Sequence, residues 1–221
     1  MRVVRTSLID GARAATGTVV VIDVFRAFTT AAFSIAAGAR EIVLLSDHRD
    51  ALAMKRSDPT LFLTGEIDGR PIPGFDAGNS PSVIRHLDLS GRRVVQRTSS
   101  GTQGVVAATN ARRVVLGSLV VAAATLRHVK TIGDDVTLVA MGTSETEEAD
   151  EDLACARYLE QHLREGAAPP PVIRLLGDER GWPDWFPRED ALLAIELDRF
   201  DFALPVTREA GLLIARPVFA P

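Results

Sequence analysis

The chain has 221 residues, 46 % of them hydrophobic and 24 % charged, which is enough to bury one substantial core and stay in solution. A formal net charge of −4 without a basic stripe argues against nucleic-acid and acidic-membrane partners, and a single cysteine, Cys155, excludes an intramolecular disulfide. No apolar run reaches membrane-spanning length and no signal peptide stands at the start, so a cytoplasmic location is expected.

The first strong element is the apolar run from Thr18 to Ile22, which stops at Asp23, passes Arg26, and meets Thr29 and Thr30 as a helical pattern begins over 28–37. Such a buried strand delivers an acid and a guanidinium to a sheet edge. A carboxylate holds divalent cations and a guanidinium forks onto oxyanions, a pair suited to phosphate esters. Asp23 equally fits a cap of the following helix, with Arg26 as its ion-pair partner. Gly38 ends the helix, residues 41–45 read as a strand, 47–56 as a helix capped by Asp47, and 61–64 as the next strand. The stretch from Gly65 to Ser80 has no period and is rich in Gly, Pro, Asp and Asn, which predicts a long functional loop carrying Glu66, Asp68, Asp76 and Asn79. Those residues are also ordinary turn formers. Ser80-Pro81 restarts a helix.

Residues 93–97 read as a strand running into Thr98-Ser99-Ser100-Gly101-Thr102, followed by a helix over 103–109; strand, small-residue loop and helix make an anion cradle. No lysine follows the glycine, which excludes a Walker-type nucleotide site. Strands are expected at 113–116 and 136–141 with a helix over 120–129 between them. The acidic run from Glu145 to Asp152, with Glu147 and Glu148 read as solvated, leads into a helix lined by Leu153, Leu159 and Leu163. Residues 167–171 are the best linker within an otherwise single domain spanning 1–221. A helix over 188–197 behind Pro187 and a hairpin of 202–206 with 212–215 complete the pattern. Alternating strands and helices predict a three-layer α/β/α fold with a mixed, largely parallel sheet, whose strand-end loops at Asp23, Glu66, Thr98 and Thr143 gather a ligand.

Two phosphatase chemistries fail on spacing: Phe25 stands where a haloacid-dehalogenase-type enzyme has its second aspartate, and Gln161 stands where a thiol phosphatase has its arginine after Cys155. The histidines, His48, His86, His128 and His162, have no metal-ligand spacing. Taken in order, the 22–30 segment, Gly65-Glu66, Gly74-Phe-Asp-Ala-Gly-Asn-Ser-Pro81, Thr98-Ser-Ser-Gly-Thr102 and Glu151-Asp-Leu-Ala-Cys-Ala156 resemble the 2-phosphosulfolactate phosphatase family, strongly over 19–163 and more loosely through Glu189-Asp190, Asp198 and Pro205. The resemblance implies a magnesium-dependent phosphatase of coenzyme M biosynthesis acting on a small anionic phosphoester. It implies Asp23, Arg26 and Asp76 in catalysis, and Asp23, Glu66, Asp76 and Asp152 about Mg²⁺. On this reading Arg26, Thr29, Thr30, Asn79 and the loop from Thr98 through Ser99, Ser100 and Gly101 to Thr102 bind the phosphate, and Glu151 is among the residue types that match the family. Ser100, Ile67 and Val121 depart from the family's Asn, Arg and Asn, so a non-catalytic small-anion sensor is the rival reading, and homo-oligomerisation is left open.

Overall fold

A computed structural model describes residues 1–144, 146–173 and 185–219. In chain order the elements are β1 (Val3–Ser7), α1 (Leu8–Ala14), β2 (Gly17–Ile22), α2 (Ala27–Ala36), β3 (Glu41–Leu45), α3 (His48–Ser57), β4 (Phe62–Ile67), β5 (Arg70–Pro71), β6 (Ala77–Gly78) and α4 (Pro81–Ile84). There follow β7 (Arg93–Arg97), α5 (Gly101–Ala107), β8 (Ala111–Gly117), α6 (Ala122–Ile132), β9 (Val136–Ala140), α7 (Asp150–Glu165), α8 (Arg188–Ala194), β10 (Phe202–Glu209), β11 (Leu212–Ala215) and β12 (Val218–Phe219). Beyond the expected elements the structure adds β1 and α1 at the start. It also resolves the supposed loop after Gly65 into the end of β4 and the short strands β5 and β6.

One mixed sheet runs β1-β9-β2-β8-β10-β11-β3-β7-β4-β5, with β12 on β10 and β6 on β4. Two parallel wings, β1-β9-β2-β8 and β3-β7-β4, flank the hairpin β10-β11. Three successive antiparallel junctions, β8·β10, β10·β11 and β11·β3, mean that the wings run in opposite directions. Six strand spacings separate β9 from β7, roughly 29 Å in a flat sheet. Yet Ser100, three residues past β7 and within about 10 Å of it by chain reach, donates its hydroxyl to the Met141 carbonyl at 3.0 Å, one residue past β9. The sheet is therefore strongly curled.

The curl closes on α2, whose residues Ala27 to Ile35 are all buried, as an apolar-all-round helix requires. Alternation along each strand sorts the core into layers. Val19 and Val21 of β2, Ile42 and Leu44 of β3 and Val94 of β7 pack on α1, α2, α4 and α5. Their neighbours Val20 and Ile22 face α6 and α7 on the outer side of one wing, while Val43, Leu63 and Val95 face α3 on the other. The result is a three-layer α/β architecture. No helix among the described residues is long and apolar enough to cross a membrane.

The central hairpin carries fully buried Leu204 and Ala215 into the same cluster as both wings. Leu204→Ala is expected to cost about 2–5 kcal/mol by cavity formation. Urea unfolding followed by both fluorescence and circular dichroism should show a single, lowered transition, whereas two separate transitions would mean that the wings unfold independently.

Candidate active site

β2 is buried on both faces between β9 and β8, and its end is fixed by Asp23 N donating to the Gly117 carbonyl (3.2 Å) and by Met141 N donating to the Ile22 carbonyl (2.9 Å). Asp23 Oδ1 accepts from the N–H of Ala27, the first residue of α2, at 2.9 Å, so although Arg26 occupies the N-cap position the carboxylate braces the start of that helix from the mouth of the cleft. Its other oxygen crowds α5. A Cβ on residue 101 would lie 2.7 Å from Asp23 Oδ2, so only glycine fits there.

Glu66, near the end of β4, reaches across to the loop after β7 and accepts from Ser99 N at 2.5 Å and from Gly69 N at 2.6 Å. Gly65 before it has φ +153°, and a Cβ there would stand 1.9 Å from the Arg97 carbonyl, so close passage of the two chains demands glycine. β6 lies parallel to β4, Thr64 opposite Ala77 and Gly65 opposite Gly78, and this carries Asn79 to the same end of the sheet. Asn79 is buried, and its Oδ1 has no partner among the described residues. From the other wing, the first turn of α7 brings Asp152, whose two oxygens accept Val24 N (2.7 Å) and Gly142 N (2.9 Å), and beside it Glu151.

These groups surround a cavity of about 390 Å³. Asp23, Glu66, Glu151, Asn79, Ser99 and Ser100 line it, with Arg26 and the rings of Phe25, Trp185 and Phe186 on another wall. Arg26 does not pair with Asp23. Its Nη1 donates to Asp190 Oδ2 at 2.8 Å, Nη2 donates to the Gly69 carbonyl at 3.3 Å, and the guanidinium carbon lies 4.3 Å from the centre of the Phe186 ring. Burial, reinforced by the charges of Glu66 and Glu151, pushes the Asp23 carboxyl up to about 7. Burial and then the Asp23 and Glu151 charges hold Asp152 well above the usual carboxylate range, and burial followed by Asp150 raises Glu151.

Of the residues expected at the site, Asp23, Arg26, Glu66, Asn79, Ser99 and Ser100 come together at the cavity, and Gly101 lies against Asp23. Asp152 stands behind them as a bridge between the β2 and β9 loops. Asp76 does not join them. Parallel pairing sets it beside Leu63, whose N–H it accepts at 2.7 Å, and Lys55 of α3 pairs with its carboxylate, so three residues further on it is Asn79 that arrives at the strand end. The hydroxyls expected on phosphate at Thr29, Thr30, Thr98 and Thr102 are turned inward. Thr29 donates to the Val24 carbonyl, Thr30 lies within α2, and Thr98 and Thr102 bond each other's backbone N–H across the start of α5. Val121 is core, and among Ser100, Ile67 and Val121 only Ser100 lines the cavity, buried rather than in an exposed loop. Glu147 lines the rim and Glu148 pairs with the Ser7 hydroxyl; Glu145 lies outside the described residues. Asp190, which the sequence marks only within the looser part of the resemblance, and the aromatic wall were not expected at the site. An acid in a helix's first turn behind proline carries no sequence signal beyond the helix dipole.

The family described as 2-phosphosulpholactate phosphatase matches residues 4–179. Among curated proteins, the chain is 34 % identical over 140 residues to a "Probable 2-phosphosulfolactate phosphatase" of Bacillus subtilis, covering 63 % of this chain and 61 % of that one. It is 43 % identical over 125 residues to the protein of the same name from Deinococcus radiodurans, covering 56 % and 52 %. For that of Carboxydothermus hydrogenoformans the figures are 37 % over 147 residues, covering 66 % and 60 %. The chain thus spans between half and about three-fifths of the length of these relatives.

A carboxyl whose folded value is raised to about 7 binds its proton more tightly folded than unfolded, so its contribution to stability is fully present below the unfolded value near 3.8 and is lost as pH rises through about 7. Asp23→Asn keeps the acceptor for Ala27 N and removes the buried charge. In chelator-treated protein it should be more stable than wild type at pH 8, on the order of 2 kcal/mol or more, and the gap should close towards pH 4, as read by thermal melts across that range.

Proposed function

Because the chain belongs to the 2-phosphosulpholactate phosphatase family, we propose that it is a cytoplasmic, magnesium-dependent phosphatase hydrolysing a small anionic phosphomonoester, 2-phosphosulfolactate or a related phosphorylated hydroxy acid. The observation that carries this reading is the cavity in which a buried guanidinium, Arg26, faces Asp23, Glu66 and Glu151 within the segment that the family spans.

The donor set suits a hard cation. Magnesium asks for only one or two carboxylates and completes its shell with water and phosphate oxygens. Among the described residues no group of three His, Cys, Asp or Glu ligands stands together, so water and phosphate oxygens would have to complete the shell. Asp23, Glu66 and Glu151, the carboxylates that line the cavity, are those that would hold it, while Asp152 lies behind them with its two oxygens bridging Val24 N and Gly142 N. A bound magnesium ion would offset the mutual repulsion of the acids and polarise the phosphoryl group.

The chain's own residues do the rest. Arg26 binds the phosphoryl oxygens, where charge is concentrated during transfer. Asn79, with its unpaired buried oxygen, accepts a hydrogen bond from a hydroxyl of the ester or from water. Glu66 fixes the loop of Ser99 and Ser100 against β4, and the rings of Phe25, Trp185 and Phe186 along the same cavity limit access of water.

Phosphate release from a panel of small phosphomonoesters should require added magnesium and fall to background with chelator; turnover unaffected by chelator would remove the cation. Arg26→Ala and Asp23→Asn are each expected to lower kcat/KM by roughly a hundred- to a thousandfold, the usual loss for one transition-state group. Cys155→Ser should stay active, because the thiol is fully buried in the outer core and burial holds it well above its usual range.

A further inference from the structure

We propose that Asp190 is the positioning residue for Arg26, and that this helix α8 carboxylate, beyond the family-matched segment, sets the affinity of the cavity for a phosphoryl oxyanion. The inference rests on the phosphatase reading above. Asp190 is fully buried. Its Oδ1 accepts from the Ser80 hydroxyl at 2.8 Å and from Ser82 N at 2.9 Å, which fixes the carboxylate plane against the start of α4. Its Oδ2 then accepts from Arg26 Nη1 at 2.8 Å. A flexible arginine side chain loses substantial rotamer freedom when it is held, and here that ordering is complete before any ligand arrives. The Phe186 face and the Gly69 carbonyl complete the clamp, so the guanidinium reaches the cavity in one orientation. Three segments distant in sequence, the loops after β2 and β6 and the start of α8, thus meet on one carboxylate.

Two opposing effects follow from this pair. Asp190 orients Arg26, which favours oxyanion binding, and it also neutralises part of the guanidinium charge, which opposes it. Orientation is expected to dominate, because a buried arginine without its partner either leaves the cavity for solvent or seeks Glu66 or Glu151.

The test is phosphate binding by calorimetry in magnesium chloride, on the full chain as wild type, Asp190→Asn, Arg26→Ala and the double variant. Asp190→Asn presents an amide N–H to Arg26 in place of an acceptor, and should weaken the inorganic phosphate Kd at least tenfold. Arg26→Ala should weaken it as much, and the double variant should be no more than about threefold worse than Arg26→Ala alone, since both remove one interaction. Phosphate bound as well or more tightly by Asp190→Asn, or losses that multiply in the double variant, would overturn the inference. Should Asp190→Asn not fold, Ser80→Ala loosens the same carboxylate without burying a new charge, and an unchanged Kd in that variant overturns the inference equally. Wild-type protein that binds phosphate but turns over no ester defeats the phosphatase reading alone; wild-type protein that binds no phosphate defeats both.

Discussion

The structure depends on one recurrent interaction: a buried carboxylate accepting peptide N–H groups from a neighbouring loop. Asp23 takes Ala27 N, Glu66 takes Ser99 N and Gly69 N, Asp152 takes Val24 N and Gly142 N, and Asp190 takes Ser82 N. Each bond satisfies a donor that burial would otherwise orphan. Apart from the local Asp23–Ala27 and Glu66–Gly69 bonds, they also join segments that the curled sheet brings side by side. Acids that line the cleft, Asp23 and Glu66, therefore also hold its walls. That coupling explains why the loops after β2, β4, β7 and β9 converge although they leave wings of opposite direction.

The same coupling leaves the cleft with an unbalanced field. Asp23, Glu66 and Glu151 share one cavity with Arg26, and Arg26 is itself paired to Asp190. Asp23 answers by holding its proton to about 7, a shift set first by burial and then by Glu66 and Glu151. A cation bound beside these acids would relieve this directly. Affinity for cation and for phosphoryl oxyanion should accordingly be mutually reinforcing, because each neutralises the charge that repels the other.

Much of this was legible in the sequence because strand ends mark themselves. Runs such as Val19–Val20–Val21–Ile22 and Arg93–Arg97 stop at polar residues, and Asp23, Glu66, Ser99 and Ser100 duly lie at the cavity. Asp76 and the threonines were illegible for a specific reason: residue type reports what a side chain can do, while direction is decided by pairing. A short parallel strand, β6, turned Asp76 towards Lys55 and advanced Asn79 instead. Thr98 and Thr102 were taken by the start of α5, whose N–H groups they satisfy. The place of Asp190 beside Arg26 was hidden because its partners, Arg26 and Ser82, are remote in sequence and only tertiary packing reveals them. The position of the β10-β11 hairpin inside the sheet was equally hidden, since a terminal hairpin pattern reads the same at an edge as at the centre.

That central hairpin has a consequence for biogenesis. Leu204 pairs with Leu116 and Leu213 with Leu44, so the strands that join the wings leave the ribosome after both wings have been made. Until then β8 and β3 each present an unpaired edge rich in Val, Ile and Leu, the kind of surface that recruits other chains. Nascent chains halted before residue 202 should thus be strong clients for chaperones that shield strand edges. Full commitment to the native sheet comes as a late, long-range closure rather than by growth from the amino terminus.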